Sequence, residues 1–400
     1  MKIIFVSNYI NHHQIPFCEA MCRETDSQFF FLQTEPMEAE RVRMGWQEEN
    51  NLSYLKLFYR EPEECKRLVL ESDVVLFGGC DDESYIAERL WLGRPVVRLS
   101  ERLYKTGQYK AVSPRGLIRK YQDHTRYRKA QVYLLCSGAY VSSDFHLVRA
   151  YPDKMFRWGY FPETRSYHPD KLMEGKKKEI PAILWAGRFL DWKHPELPLK
   201  TAQWLKEKGC LFHLDIIGGG EMEQEVQEMI REYDLADRVS LQGYKSPGEV
   251  RVYMEKADIF LATGDRREGW GAVINEAMNS GCAVVADHMI GAAPYLINHG
   301  INGLVYQDGK AEQLFRFTEK LIRDADYLEI LGRKAYETIA SEWNAENGAA
   351  CLMELLEELS LLPTGTGKRN REPVRTQAGP CSPAPVISER KMYRYLTGGK

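Results

Sequence analysis

Four short segments between residues 182 and 286 carry residue types suited to holding an anionic, hydroxyl-bearing ligand. The most informative runs ATGDRREGWGAVINEAMNSGCAVVA over 262–286. An apolar run ends at Ala262, a loop holds Glu268-Gly269-Trp270-Gly271, and a helical pattern opens with Ala272-Val273. Glycines on either side of Trp270 let the backbone come close to a ligand. The helix start that follows offers N–H groups and a positive dipole end to an anion. Glu276 lies about one turn into that helix, eight positions after Glu268, so two carboxylates can flank whatever the N–H groups hold. Taken alone, the segment reads equally well as a surface loop with solvated glutamates. Upstream, GRFLDWKH (187–194) follows the apolar Ile183–Ala186 and places Arg188 and Lys193 beyond the C-terminal end of a strand, where α/β folds bind ligands. Arg188 brings a planar fork and Lys193 a mobile point charge, and both suit a diphosphate. LDIIGGG (214–220) ends a strand in a glycine triplet containing Gly218 and Gly219, and VSLQGYKSP (239–247) adds a further strand–loop unit with Gly243 and Tyr244. Either of these alone is no more than a tight turn.

The elements that must position these residues are short β-branched runs alternating with amphipathic helical stretches, the pattern of parallel α/β sheets. In the first half, strands are expected at Lys2–Ser7, Gln28–Leu32, Val74–Phe77, Val96–Leu99 and Gln131–Cys136, with helices such as Gln14–Arg23 and Ser84–Leu92 between them. A second series comprises strands Ala182–Ala186, Phe212–Ile217, Val239–Leu241, Ile259–Ala262 and Ala283–Ala286, with helices Glu196–Lys208, Glu221–Tyr233 and Ala272–Ser280. The spacing predicts two Rossmann-like domains, 1–161 and 182–345, joined by a polar, Pro/Gly-interrupted linker over 162–181. A C-terminal helix over 346–362 should pack back toward the N-terminal domain. Residues 363–400, rich in Pro, Gly and basic side chains, read as a disordered tail.

In this order the pieces resemble the C-terminal half of the retaining GT-B glycosyltransferases, the "glycosyl transferases group 1" class related to glycogen and sucrose synthases. The matching elements are AGR with a lysine five residues beyond the arginine, IIGGG, LQGY, ADIF, EGWGAVINEAM with its E-x7-E spacing, GCAVVA and NHGINGLVY, together spanning roughly 182–345. The resemblance implies an α/β GT-B fold, two Rossmann-like domains facing across a cleft. It also implies sugar transfer from a UDP-, GDP- or ADP-sugar with retention of anomeric configuration and no obligatory cofactor or metal. Glu268 would contact donor-sugar hydroxyls and Glu276 the ribose. Arg188 and Lys193 would neutralise the diphosphate with help from the backbone of Gly269, Trp270, Gly271, Ala272 and Val273. Gly218, Gly219, Gly243 and Tyr244 would lie beside nucleoside and phosphate. Asp81-Asp82 reads as an acidic helix start rather than a metal-ligand pair. A nucleotide-sugar epimerase, a phosphorylase on the same fold and a non-catalytic sugar-binding subunit are the rival readings.

The N-terminal half would bind the acceptor, a saccharide or lipid-linked saccharide of cell-surface polysaccharide or glycolipid assembly. Where such enzymes commonly carry a glycine-rich turn after the first strand, this chain has SNYINHHQ, making His12 and His13 acceptor-side candidates or helix-capping residues. Where they often carry a histidine after a later strand, VVRLSERLY offers Glu101.

Composition bounds these readings. The chain has 400 residues, 44% of them hydrophobic, with 54 Lys+Arg against 57 Asp+Glu for a net charge of −3. That near-neutral total argues against a nucleic-acid binder, but it is unevenly placed. Residues 101–130 carry nine basic and two acidic side chains, interleaved with tyrosines, which suggests peripheral contact with an anionic membrane surface. No apolar run approaches the ~18 residues of a membrane span. The nine scattered cysteines read as reduced, mostly buried residues of a cytoplasmic protein, working at the inner face of the cell membrane.

Overall fold

The computed structural model describes residues 1–26, 28–38, 51–363, 365 and 373–398. The chain divides into two compact units, Met1–Glu163 with Glu342–Ile387 and Thr164–Ser341 with Ser388–Lys400.

The first unit is built on strands β1 (Ile3–Ser7), β2 (Phe29–Gln33), β3 (Leu55–Leu57), β4 (Val74–Gly78), β5 (Val96–Ser100), β6 (Val132–Ser137) and β7 (Met155–Trp158). All pair in parallel in the order β3-β2-β1-β4-β5-β6-β7. β1 (IIFVS) and β4 (VVLFG) are buried along their whole length, because crossover helices cover both faces of a parallel sheet. β2 and β4 flank β1 on opposite sides, so the chain reverses direction across the sheet there. That is the switch point where such sheets open a crevice at their C-terminal edge. Helix Ala345–Glu358, with 11 of its 14 residues buried, packs against helix Ile15–Glu24. Its N-cap Asn344 accepts from the Asn347 N–H at 2.9 Å. Gly348 passes under the Phe161 ring, which lies between Phe17 at 6.0 Å and Trp343 at 6.3 Å.

The second unit holds β8 (Ala182–Ala186), β9 (His213–Ile217), β10 (Val239–Gly243), β11 (Ile259–Ala262), β12 (Ala283–Asp287) and β13 (Leu304–Tyr306), parallel in the order β10-β9-β8-β11-β12-β13. Here β8 occupies the switch point. Helix Pro247–Lys256 starts on a capping box legible in KSPGE, in which the Ser246 hydroxyl accepts from the Glu249 N–H and the Glu249 carboxylate accepts from the Ser246 N–H at 2.8 Å.

Two sequence expectations change. Residues 164–181 are not a free linker, because most of their polar groups find partners inside the second unit. The Arg165 N–H donates to Asn279 at 2.8 Å, its guanidinium pairs with Glu255 at 2.7 Å, and buried Lys176 donates to the Met254 carbonyl at 3.0 Å. Helix Pro169–Glu174 buries Leu172 and Met173 in a cluster with Tyr336. Nor are residues 373–398 a disordered tail. The Arg157 N–H donates to the Ser382 carbonyl at 2.8 Å, and the Cys381 and Ala384 N–H groups donate to Arg157 and Met155 at 2.9 and 3.0 Å, covering the open edge of β7. Helix Glu389–Thr397 then buries Met392 in the second unit. This order comes from main-chain pairing and a few anchors, which a low-hydrophobicity composition conceals. The rest of the expected tail, residues 364, 366–372, 399 and 400, lies outside the described residues. All nine cysteines are free thiols, and only Cys22 and Cys80 are partly exposed.

Candidate functional site

In the second unit, the loops after β8 and β11 are tied together at the C-terminal edge of the sheet. The Trp185 indole donates to the Thr263 hydroxyl at 2.8 Å, and that hydroxyl donates to the Lys193 carbonyl at 2.7 Å. The Asp265 N–H donates to the Trp192 carbonyl at 2.9 Å. Arg267 bridges the loops, reaching Asp265 at 2.9 Å and Asp191 at 2.8 Å. His194, in the left-handed region at φ 52°, lies between two carboxylates, with Nδ1 3.0 Å from Glu196 and Nε2 3.8 Å from Asp265. The Asp265 and Glu196 carboxylates hold the His194 imidazolium, pushing its pKa up to about 10. The Asp265 carboxyl in turn lies far below its ordinary range, despite desolvation, through its bonds to His194 and Arg267.

This frame sets Lys193 and Glu268 against each other as an ion pair, with each side chain largely buried. Both line a small recess of about 20 Å³ that also takes in Gly264, Gly271, Val273 and Ile290. Gly271 has φ +87°, and a Cβ there would lie 2.6 Å from Ile290 Cγ2, so glycine is required. The ring of Trp192 lies 4.8 Å from Lys193 Nζ and 5.9 Å from the Arg188 guanidinium carbon, grouping the two cations around one aromatic ring. Glu276 is half-buried in the first turn of helix Val273–Asn279, which begins one residue later than expected because Ala272 serves as its N-cap. The Trp270 indole is buried and donates to Asn275 at 2.8 Å, so the side chain braces the loop from within.

The glycine loops form a second cluster beside the first. The Gly218 N–H donates to the Gly243 carbonyl and the Phe189 N–H to the Gly219 carbonyl, both at 2.9 Å. Gly218 has φ +132°, and a Cβ there would collide with the Gly187 carbonyl oxygen. The ring of exposed Tyr244 lies against Gly219.

The first unit contains a separate cavity of about 930 Å³ beyond the C-terminal ends of β1, β4, β5 and β6. His13 and Glu101 both line it, joined through Tyr160. The tyrosine hydroxyl donates to Glu101 at 2.7 Å, and its ring stacks with His13 at 6.4 Å. His12 packs against His13 at 4.0 Å, and burial lowers its pKa to about 4, so it is a neutral group supporting the wall. Asp82 accepts from the Ser84 N–H at 2.9 Å at the start of helix Ser84–Trp91.

Sequence reading missed His194, Asp265, Thr263 and Arg267, whose importance lies in ties between loops about 70 residues apart. The alternation of opposite charges in DWKH and GDRRE was the only signal. It missed Tyr160 because nothing in GYFPE marks a side chain aimed into a cavity.

With this geometry in place, residues 170–338 match the family described as "Glycosyl transferases group 1". Among relatives, the chain is 32% identical over 185 residues to the amylovoran biosynthesis glycosyltransferase AmsK of Erwinia amylovora, covering 44% of this chain and 45% of AmsK. It is 28% identical over 202 residues to WcaL of Salmonella typhimurium, assigned to colanic acid biosynthesis, covering 49% of each. The matched stretches thus span about half the length of these curated relatives. Among solved structures, Anabaena HepE in complex with UDP superposes with TM-score 0.66 at 14% identity over 90% of this chain and all of HepE. The fold is GT-B, two parallel-sheet α/β units.

Proposed function

We propose that this chain is a retaining glycosyltransferase. In this reading it moves a sugar from a nucleotide-sugar donor held by the second unit to a saccharide or lipid-linked saccharide acceptor held by the first, in cell-surface polysaccharide or glycolipid assembly on the cytoplasmic side of the membrane. The observation that carries the reading is the buried Lys193–Glu268 pair, framed by Gly264 and Gly271 within the segment that matches the group 1 family. Departure of a nucleoside diphosphate builds negative charge on the β-phosphate, and fixed cations and N–H dipoles in a dry site stabilise that charge most. Lys193 and Arg188, grouped on Trp192, supply the cations, and the backbone of Gly271–Val273 the dipoles. Glu268 holds donor-sugar hydroxyls next to Lys193, and Glu276 takes the ribose. Gly218, Gly219, Gly243 and Tyr244 bring backbone and an aromatic face to the nucleoside. The UDP in HepE and the polysaccharide named for AmsK support a UDP-sugar and a glycan acceptor. In the first unit, Glu101, oriented by Tyr160, and His13 face the acceptor.

The test is turnover of a UDP-, GDP- or ADP-sugar. Lys193→Ala and Glu276→Ala should each abolish transfer while the far- and near-UV circular dichroism stays unchanged, and the wild-type product should keep the donor's anomeric configuration. Unchanged turnover in either variant defeats the site assignment, and an inverted product defeats the mechanism.

A further inference from the structure

Helix Pro114–Asp123 in the first unit is oriented against the usual rule. Its sequence PRGLIRKYQD puts Pro114, Leu117, Ile118 and Tyr121 on one stripe at i, i+3, i+4 and i+7 spacing. An apolar stripe of this kind normally faces the core, yet no residue of this helix is buried. The half-buried positions are Gly116, Lys120 and Asp123, so the helix turns its polar and small face to the domain and its apolar stripe outward. The preceding turn Gln108–Val112 does the same. Tyr109, Val112, Leu117, Ile118 and Tyr121 are 41–78% exposed, five large apolar side chains within 13 residues. Contiguous exposure of this kind marks an interaction surface.

The charge around the stripe selects the partner. Lys110, Arg115, Arg119, Arg126, Arg128 and Lys129 are exposed within this same stretch. Its two acids are half-buried and paired, Glu101 with Lys105 and Asp123 with Arg119 at 3.4 Å. An outward apolar stripe edged by cations and free of exposed acids complements an apolar layer beneath an anionic one. A helix of ten residues is about 15 Å long, half the hydrocarbon thickness, so it would lie in the interface rather than cross it.

We propose that Gln108–Asp123 docks on an anionic lipid bilayer, with Tyr109, Val112, Leu117, Ile118 and Tyr121 entering the headgroup–acyl boundary. The opposite side of the same helix supplies Arg119, Lys120 and Asp123 to the 930 Å³ cavity. Docking therefore brings the cavity wall to the lipid surface, and resting on the acceptor reading above, the substrate class this favours is a lipid-linked saccharide.

The experiment is sedimentation of the full chain with phosphatidylcholine vesicles and with vesicles containing 30% phosphatidylglycerol. Binding is expected to the anionic vesicles only, weakening as salt is raised. The triple variant Leu117→Ser, Ile118→Ser, Tyr121→Ser should lower the partition coefficient about 100-fold, and Arg115→Gln about five-fold. An unchanged melting temperature and far-UV circular dichroism spectrum verify the fold of each variant. Background-level sedimentation at low salt, or undiminished binding of the triple variant, overturns the proposal. So does a self-associated wild type that the triple variant renders monomeric, because a second copy would then cover the stripe. None of these readouts involves turnover, so failure here is distinguishable from failure of the acceptor or donor reading.

Discussion

His194 ties the loops after β8 and β11 on which the proposed donor site rests, and its removal gives a prediction whose size and pH dependence both follow from the geometry. His194→Asn keeps a residue that tolerates the left-handed backbone at φ 52° but removes the cation between Glu196 and Asp265. The hydrogen bond to Glu196 contributes about 1.5–3 kcal/mol when dry, and the 3.8 Å contact with Asp265 adds a weaker ion-pair attraction. With 32% of the ring exposed, screening reduces the pair to a total of ~1–2 kcal/mol. The folded-state pKa, about 10, lies above the ordinary 6.5. Folding therefore retains a proton that the unfolded chain loses. The stabilisation is complete below pH 6.5, declines as pH rises, and is gone above pH 10. Urea unfolding of the second unit, followed by tryptophan fluorescence at several pH values, should show the wild type exceeding His194→Asn by ~1–2 kcal/mol at pH 6. The two curves should converge by pH 10. Equal stabilities at pH 6, or a gap that widens with pH, would refute the charged tie.

Gly218→Ala forces a Cβ into the Gly187 carbonyl at φ +132°, and should destabilise the second unit by about 2–4 kcal/mol in urea unfolding while abolishing UDP binding. A chain ending at Pro363 loses three main-chain bonds from residues 381–384 to β7, contributing about 1 kcal/mol each. Its first unit should melt roughly 6–12 °C lower by calorimetry, and an unchanged transition would mean the segment does not pack there.

Much of the architecture was legible because both sheets are buried on two faces, so their strands stand out as continuous apolar runs. Ala182–Ala186 and Ile259–Ala262 were bounded to the residue. Leu55–Leu57, Met155–Trp158 and Leu304–Tyr306 were missed, each being an edge strand of only three or four residues, too short to show a period. The segment closing over β7 was missed for a related reason, since main-chain bonds hold it and composition does not record them. At the candidate site, Lys193, Glu268 and Gly271 were readable from residue type and spacing. The burial of the Trp270 indole, bonded to Asn275, was not legible because a tryptophan between glycines gives no sign of which way its side chain turns. His194 gave no signal because its role depends on an unusual backbone angle and on a partner loop distant in sequence.

The central claim, that the loops after β8 and β11 hold a nucleoside diphosphate, is tested most directly by thermal shift of the second unit's transition against UDP, GDP and ADP. A ligand that binds only the folded chain raises its apparent stability with concentration. One of the three should give a saturable rise, and Lys193→Ala should weaken that ligand at least about ten-fold, the effect of losing one charge-assisted contact to a phosphate. No shift with any of the three, or the same apparent affinity in Lys193→Ala, would contradict the account.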